Sequence, residues 1–194
     1  DVRCTKDKKV IIFHDKNLKR LAGKNKNVKS LTLHEIKKIK LKNGEEIPQL
    51  EELTPLLQKT KVINIEIKSD SLFSGFDTIP SVISFIKINN LEKKCVVSSF
   101  NPLVLLKIKI TNPTVIIGYL YNKKVVFHTW HNLVWMTRVR PDSLHIHYSL
   151  LDSWIVKWSR RQGLKINSYT INDKKIFKKA KIDGVFTDNK EYLK

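Results

Sequence analysis

Two short stretches carry residue types suited to proton and phosphate chemistry. In KKVIIFHDK, residues 8–16, four bulky apolar residues run straight into His14 and Asp15. An imidazole at a strand end can move protons near neutral pH. Taken alone, the pair reads rather as a turn whose Asp bonds the backbone. In VINIEIKSD, residues 62–70, side chains alternate across a strand. Asn64, Glu66 and Lys68 therefore share one face, and Ile63, Ile65 and Ile67 the other. The polar face reaches the strand's C-terminal end, where α/β folds build their sites. A carboxylate beside an ammonium suits a hard metal ion plus an anionic oxygen. An edge strand with a solvated polar face is the alternative.

The first stretch has a partner. DVRCTKDKKVIIFHD reads as two extended runs joined by KDKK. A turn centred on Asp7 sets Asp1 beside Phe13 or His14 in an antiparallel hairpin, so Asp1, Arg3 and His14 gather at one end.

The rest of the chain alternates β-branched runs with amphipathic stretches. The runs are Val10–Phe13, Val62–Ile67, Cys95–Ser99, Val115–Leu120, Ser143–His147, Lys165–Thr170 and Gly184–Thr187. Several are nearly continuous in apolar residues, as strands buried on both faces are. Between them, Thr32–Glu35 spells a capping box, and SVISFIKI repeats its apolar residues at helical spacing. Thr54 reads as the cap of a helix whose first residue is Pro55. SLLDSWIVKWSRRQG sets Leu151, Trp154, Ile155 and Trp158 on one face and stops at Gly163. Strands alternating with helices predict parallel βα units, as an α/β barrel or a doubly wound sheet.

The 194 residues, 41% of them apolar, suffice for one globular domain over residues 1–194. No apolar run approaches the roughly 20 residues of a membrane span, and DVRCTKDKK lacks the apolar stretch of a signal peptide. Cys4 and Cys95 read as buried thiols of a reducing cytoplasm, too few for a structural zinc site. The net charge is +19, supplied mostly by Lys scattered in KK pairs. Solvated helix faces account for it most simply. An anionic membrane surface or phosphorylated substrate comes next, and nucleic acid last, since no nucleic-acid-binding motif is present.

Three further groups are weighed. VVFHTWHNLVWMTRVR mixes His128, Trp130, His131 and Trp135 with Arg138 and Arg140. It reads as a barrel-covering helix or one touching lipid. His145 and His147 share a strand face, as pocket-side polar residues more than a metal pair. Asp183 and Asp188 flank GVFT as turn residues.

Taken in order, DVRCTKD, VIIFHD and NIEIK resemble the glycerophosphodiester phosphodiesterase family. The resemblance continues through EEIPQLEEL, VVSSFNP, IGYL, SLHIHYSLLD, INSYTIND and IDGVFTDN, in register over essentially the whole chain. It implies a TIM-type (β/α)8 barrel. It also implies metal-dependent hydrolysis of glycerophosphodiesters, in lipid and glycerol metabolism, to glycerol phosphate and an alcohol. By the same resemblance Asp1 and Glu66 are ligands of a divalent cation, Ca2+ or Mg2+. His14 and Lys68 are catalytic, and Arg3, Lys68 and Tyr169 bind substrate. The expected partner is a small glycerophosphodiester or a lysolipid. A peripheral anionic membrane contact is allowed, no specific nucleic acid is expected, and the location is cytoplasmic.

The sequence departs from the family at its start. The family's HRG and PENT segment, with its other catalytic His, an Arg and the Glu of an E-x-D metal pair, is absent ahead of Asp1. The barrel is therefore expected to be N-terminally truncated, its first strand missing. A catalytically impaired remnant is one alternative, and a lysophospholipase D-like phosphodiesterase is another. Lys8 stands where the family has a turn glycine, costing an easy positive φ. Tyr169 replaces a Trp, and Lys190 the closing Pro.

Overall fold

The hairpin is the first element. β1 (Val2–Cys4) pairs antiparallel with β2 (Val10–Ile12), Val2 opposite Ile12 and Cys4 opposite Val10. The amide of Phe13 donates to the Asp1 carbonyl at 3.0 Å, which brings His14 to the Asp1 end. Lys8 takes up the turn's positive φ, 62°, without a glycine, and its ammonium lies 2.6 Å from Asp77. In this computed structural model residues 1–122, 129–179 and 181–189 are described, leaving aside the side chains of 129–131 and 177–179.

The chain divides into two compact units, Asp1–Ile116 and Ile117–Lys194. In the first, α1 (Lys19–Ala22), α2 (Leu33–Lys37) and α3 (Thr54–Lys59) follow the hairpin. Then come β3 (Ile63–Glu66), α4 (Ile79–Ile88), β4 (Cys95–Ser99) and α5 (Pro102–Thr111). β3 and β4 are parallel, Ile63 opposite Cys95 and Glu66 opposite Ser98. Val2 bridges Ile67 in parallel, so β1 runs alongside the end of β3. Ile63, Ile65 and Ile67 are buried, as are Val82, Ile83, Phe85 and Ile86 of α4. A smaller core of Ile11, Phe13, Leu18, Val28, Leu31, Ile36 and Ile47 seals the segment after β2. The capping box at Thr32 forms as predicted. Thr54 does not cap. It is the first residue of α3, behind an N-cap at Leu53, and its hydroxyl donates to the Glu51 carbonyl instead.

β5 (Ile116–Tyr121) starts on the last residue of the first unit and continues in the second, which also holds α6 (Thr129–Val139), β6 (Ser143–His147), α7 (Trp154–Arg161), β7 (Lys165–Tyr169), α8 (Lys174–Lys179) and β8 (Gly184–Val185). β5 to β8 pair in order, all parallel. α7 begins only at Trp154, so that residue is half exposed; Ile155, Val156 and Ser159 form the buried face. Gly163 follows with φ 79°, as the sequence required. His128, Trp130 and His131 lie outside the described side chains. Among the described residues no helix is long and apolar enough to cross a membrane.

His145, 1% exposed, sits in a polar layer of this sheet. Its Nε2 takes a hydrogen bond from Asn167 Nδ2 at 3.0 Å and lies 2.9 Å from Ser143 Oγ. That leaves the proton on a buried Nδ1 with no protein partner. Its ring faces Phe186 at 5.3 Å. The His145–His147 metal pair is thus not assembled, since His147 Nδ1 bonds Ser149 Oγ at 2.8 Å.

Two predictions follow from that layer. A Cβ on Gly118 would stand 2.6 Å from His145 Cε1 and Nε2, and the ring is held by Ser143 and Asn167. Gly118→Ala should therefore lower stability by about 1–3 kcal/mol, read from denaturant midpoints. Burial pushes the His145 imidazole down to about 4. The unfolded chain then binds more protons between pH 6.5 and 4, so stability is full above about 6.5 and declines as pH falls through about 4. The loss should reach about 3 kcal/mol at pH 4, and His145→Gln should flatten that slope.

Candidate active site

The polar parity of β3 continues past its last residue. Lys68 turns to the same face as Glu66, with Nζ 2.5 Å from Glu66 Oε1 and 3.3 Å from Asp1 Oδ1. The Val2–Ile67 bridge and the Lys68 amide, donating to the Val2 carbonyl at 3.2 Å, deliver Asp1 to that spot. The Lys68 and Glu66 side chains are only 12% and 14% exposed. Two carboxylates thus share one ammonium in a mostly desolvated place.

Arg3, 13% exposed, joins the hairpin to the loop beyond β3. Its Nε donates to the His14 carbonyl at 2.9 Å, and Nη1 donates to both Asp70 oxygens at 3.0 and 3.1 Å. It therefore fixes the backbone beneath His14. His14 itself is open, its side chain 59% exposed. Nδ1 lies 2.8 Å from Asp15 Oδ1. Asp15 is in turn gripped by Arg20, Nε to Oδ2 at 2.6 Å and Nη2 to Oδ1 at 2.9 Å. The Arg20 guanidinium, then the His14 bond, hold the Asp15 carboxyl down at about 2. An ionised Asp15 accepts from Nδ1–H and leaves Nε2 as the working nitrogen. The Asp15 carboxylate thus bonds the His14 ring and Arg20, where the turn reading had it bond the backbone.

Two hollows flank these groups. One, of about 290 Å3, is lined by Arg3, Lys16, Lys29, Lys68 and Asp70. The other, open and about 750 Å3, is lined by Arg3, His14, Asp15, Lys16 and Arg20. Both offer cations to an anion. Asp1, Arg3, His14, Glu66 and Lys68 are thus brought into one neighbourhood of the first unit. Tyr169 belongs to the second unit, at the end of β7, where its hydroxyl donates to the Tyr121 carbonyl at 2.8 Å and its ring lies 5.9 Å from His147. Sequence reasoning missed Asp70, Arg20, Lys16 and Lys29. Asp70 continues the parity of Glu66 and Lys68, so a signal existed. Arg20 lies five residues past Asp15, and nothing in the sequence marks the two lysines.

The carboxylates supply hard oxygen donors. Among the described residues no group of three or more His, Cys, Asp or Glu gathers. The pair fits a cation that completes its shell from water and phosphate oxygens.

The model of the glycerophosphoryl diester phosphodiesterase family matches residues 1–191. A glycerophosphodiester phosphodiesterase of Caldanaerobacter subterraneus subsp. tengcongensis is 35% identical over 205 residues, spanning 100% of this chain and 82% of that protein. Among solved structures, a glycerophosphodiester phosphodiesterase of Thermotoga maritima is 30% identical with TM-score 0.78, covering 100% of this chain and 81% of its own. A phosphodiesterase of Oleispira antarctica, in complex with the product sn-glycerol-3-phosphate, is 26% identical with TM-score 0.81, covering 97% and 79%. The parallel βα units and these likenesses make the fold that of a TIM-type (β/α) barrel.

The Asp15 carboxyl should titrate near pH 2 when followed by carbon NMR, against about 3.9 for a free Asp. Its contribution to stability is then present above about pH 4 and lost as pH falls through about 2. Arg20→Ala should raise that midpoint toward the free value.

Proposed function

The chain belongs to the glycerophosphoryl diester phosphodiesterase family, whose members are phosphoric diester hydrolases, and on that premise we propose that it hydrolyses a glycerophosphodiester to glycerol phosphate and an alcohol at the mouth formed by Asp1, Arg3, His14, Glu66 and Lys68. The observation that carries the reading is the ammonium of Lys68 shared between the carboxylates of Glu66 and Asp1. The two carboxylates beside it are the hard oxygen donors that would hold a divalent cation, calcium or magnesium. Such an ion, when bound, neutralises phosphate charge and stabilises the oxygens that attack and leave.

The chain's own groups do the rest. Lys68 and Arg3 face the anionic oxygens and stabilise charge that builds in the transition state. The Arg3–Asp70 pair keeps that guanidinium from wandering. His14, steered by Asp15, takes or gives a proton at Nε2. Cys4 and Cys95, both free thiols, support a reducing compartment such as the cytoplasm. The positive excess supports transient contact with an anionic membrane surface.

A lysolipid as the diester is a second reading. It is favoured by Phe73, 84% exposed, three residues beyond Asp70. An acyl chain would cover that ring.

The test is an assay of the purified protein with glycerophosphocholine and magnesium or calcium. His14→Ala should lower kcat by about 10²–10⁴, with the thermal midpoint near the wild-type value, and a chelator should abolish turnover of the parent. Turnover that survives both would sink the reading.

A further inference from the structure

Asn101 stands where a helix N-cap is needed, and its Oδ1 does that work, accepting from the Leu103 amide at 3.0 Å. Ser or Asp would cap α5 as well. What Asn adds is an amide NH2, and every acceptor near it belongs to one loop. Nδ2 lies 2.9 Å from Ser69 Oγ and 3.1, 3.0 and 3.2 Å from the carbonyls of Ser71, Leu72 and Ser74. Two protons are thus shared among four acceptors, at a side chain of a residue only 4% exposed.

The loop is held from other sides too. Ser99 Oγ donates to the Ile67 carbonyl at 2.8 Å and accepts from the Asn101 amide at 3.1 Å. Ser74 Oγ accepts from the amides of Asp70 and Ser71 at 2.8 and 2.9 Å. Gly75, at φ 90°, closes the loop against Val104 of α5. Lys68 enters this loop, and Asp70, within it, grips Arg3, which holds the His14 carbonyl.

We propose that Asn101 is a positioning residue, its amide NH2 fixing the loop 69–74 so that Lys68 and Asp70–Arg3 meet the substrate's anionic oxygens in one geometry. This rests on the phosphodiesterase reading of the site. Asn101 touches no substrate. It acts through the loop, and capping of α5 is a separate duty of its other atom.

Asn101→Asp separates the duties, because a carboxylate still caps but has no proton to donate. Ser74→Ala loosens the same loop from its other end without touching the cap. The readouts are amide hydrogen exchange over residues 69–75, kcat and KM for glycerophosphocholine with magnesium, and the affinity for inorganic phosphate. In Asn101→Asp the loop amides should exchange at least tenfold faster. KM should rise about tenfold with a smaller change in kcat, phosphate binding should weaken in parallel, and the thermal midpoint should stay within a few degrees. Ser74→Ala should move the same readouts in the same direction. Exchange, KM and phosphate affinity unchanged in both variants would overturn the proposal. A wild-type protein without diester turnover would overturn the proposed function instead. Loop exchange and phosphate binding would then still decide the role of Asn101.

Discussion

The ammonium of Lys68 lies between the carboxylates of Glu66 and Asp1, at 2.5 and 3.3 Å, and the rest of the site is arranged around that contact. Bringing two carboxylates together in a half-buried place is unfavourable unless a cation stands with them. Here the Lys68 ammonium is shared by both. The behaviour of the site therefore depends on what Lys68 touches. Removing the lysine would take away the cation that both carboxylates share. Removing either carboxylate would leave the ammonium paired with the other alone.

The surrounding elements exist in the form that this contact needs. β1 must run beside the end of β3 for Asp1 to reach Lys68, and the Val2–Ile67 bridge provides that. The hairpin returns the chain so that His14 follows the strand paired with β1, and Arg3 ties its carbonyl to Asp70. Arg20 and Asp15 then turn the imbalance of an exposed imidazole into a defined orientation. The bulk positive charge of +19 lies mostly elsewhere on the surface. It favours the approach of anions over distances of about a Debye length, but the site's own balance is set by these few groups.

Much of this was legible in the sequence where a local rule decides the outcome. The period of two in VINIEIK gave the shared face of Glu66 and Lys68. The turn at Asp7 gave the hairpin and so the nearness of Asp1 to His14. Seven of the eight strands among the described residues were anticipated by β-branched runs, and β1 by the extended reading of DVRCT. What escaped depends on distant partners. Thr54 carries a cap-forming hydroxyl, yet the preceding 3-10 turn offered the Glu51 carbonyl and the helix started a residue early. Trp154 fits an apolar stripe, but the stripe begins at the helix's first turn, where the side chain meets solvent. The hold of Asn101 on residues 69–74 joins positions about thirty apart, and no periodicity reports such a contact.

The most direct measurement is a calorimetric titration of magnesium or calcium into the protein, with and without saturating sn-glycerol 3-phosphate. If the phosphate draws the Lys68 ammonium off the two carboxylates, the cation should bind about 5–150-fold more tightly in its presence, and Lys68→Met should erase the difference. A cation affinity that is the same with and without the phosphate, or a difference that survives Lys68→Met, would contradict the account.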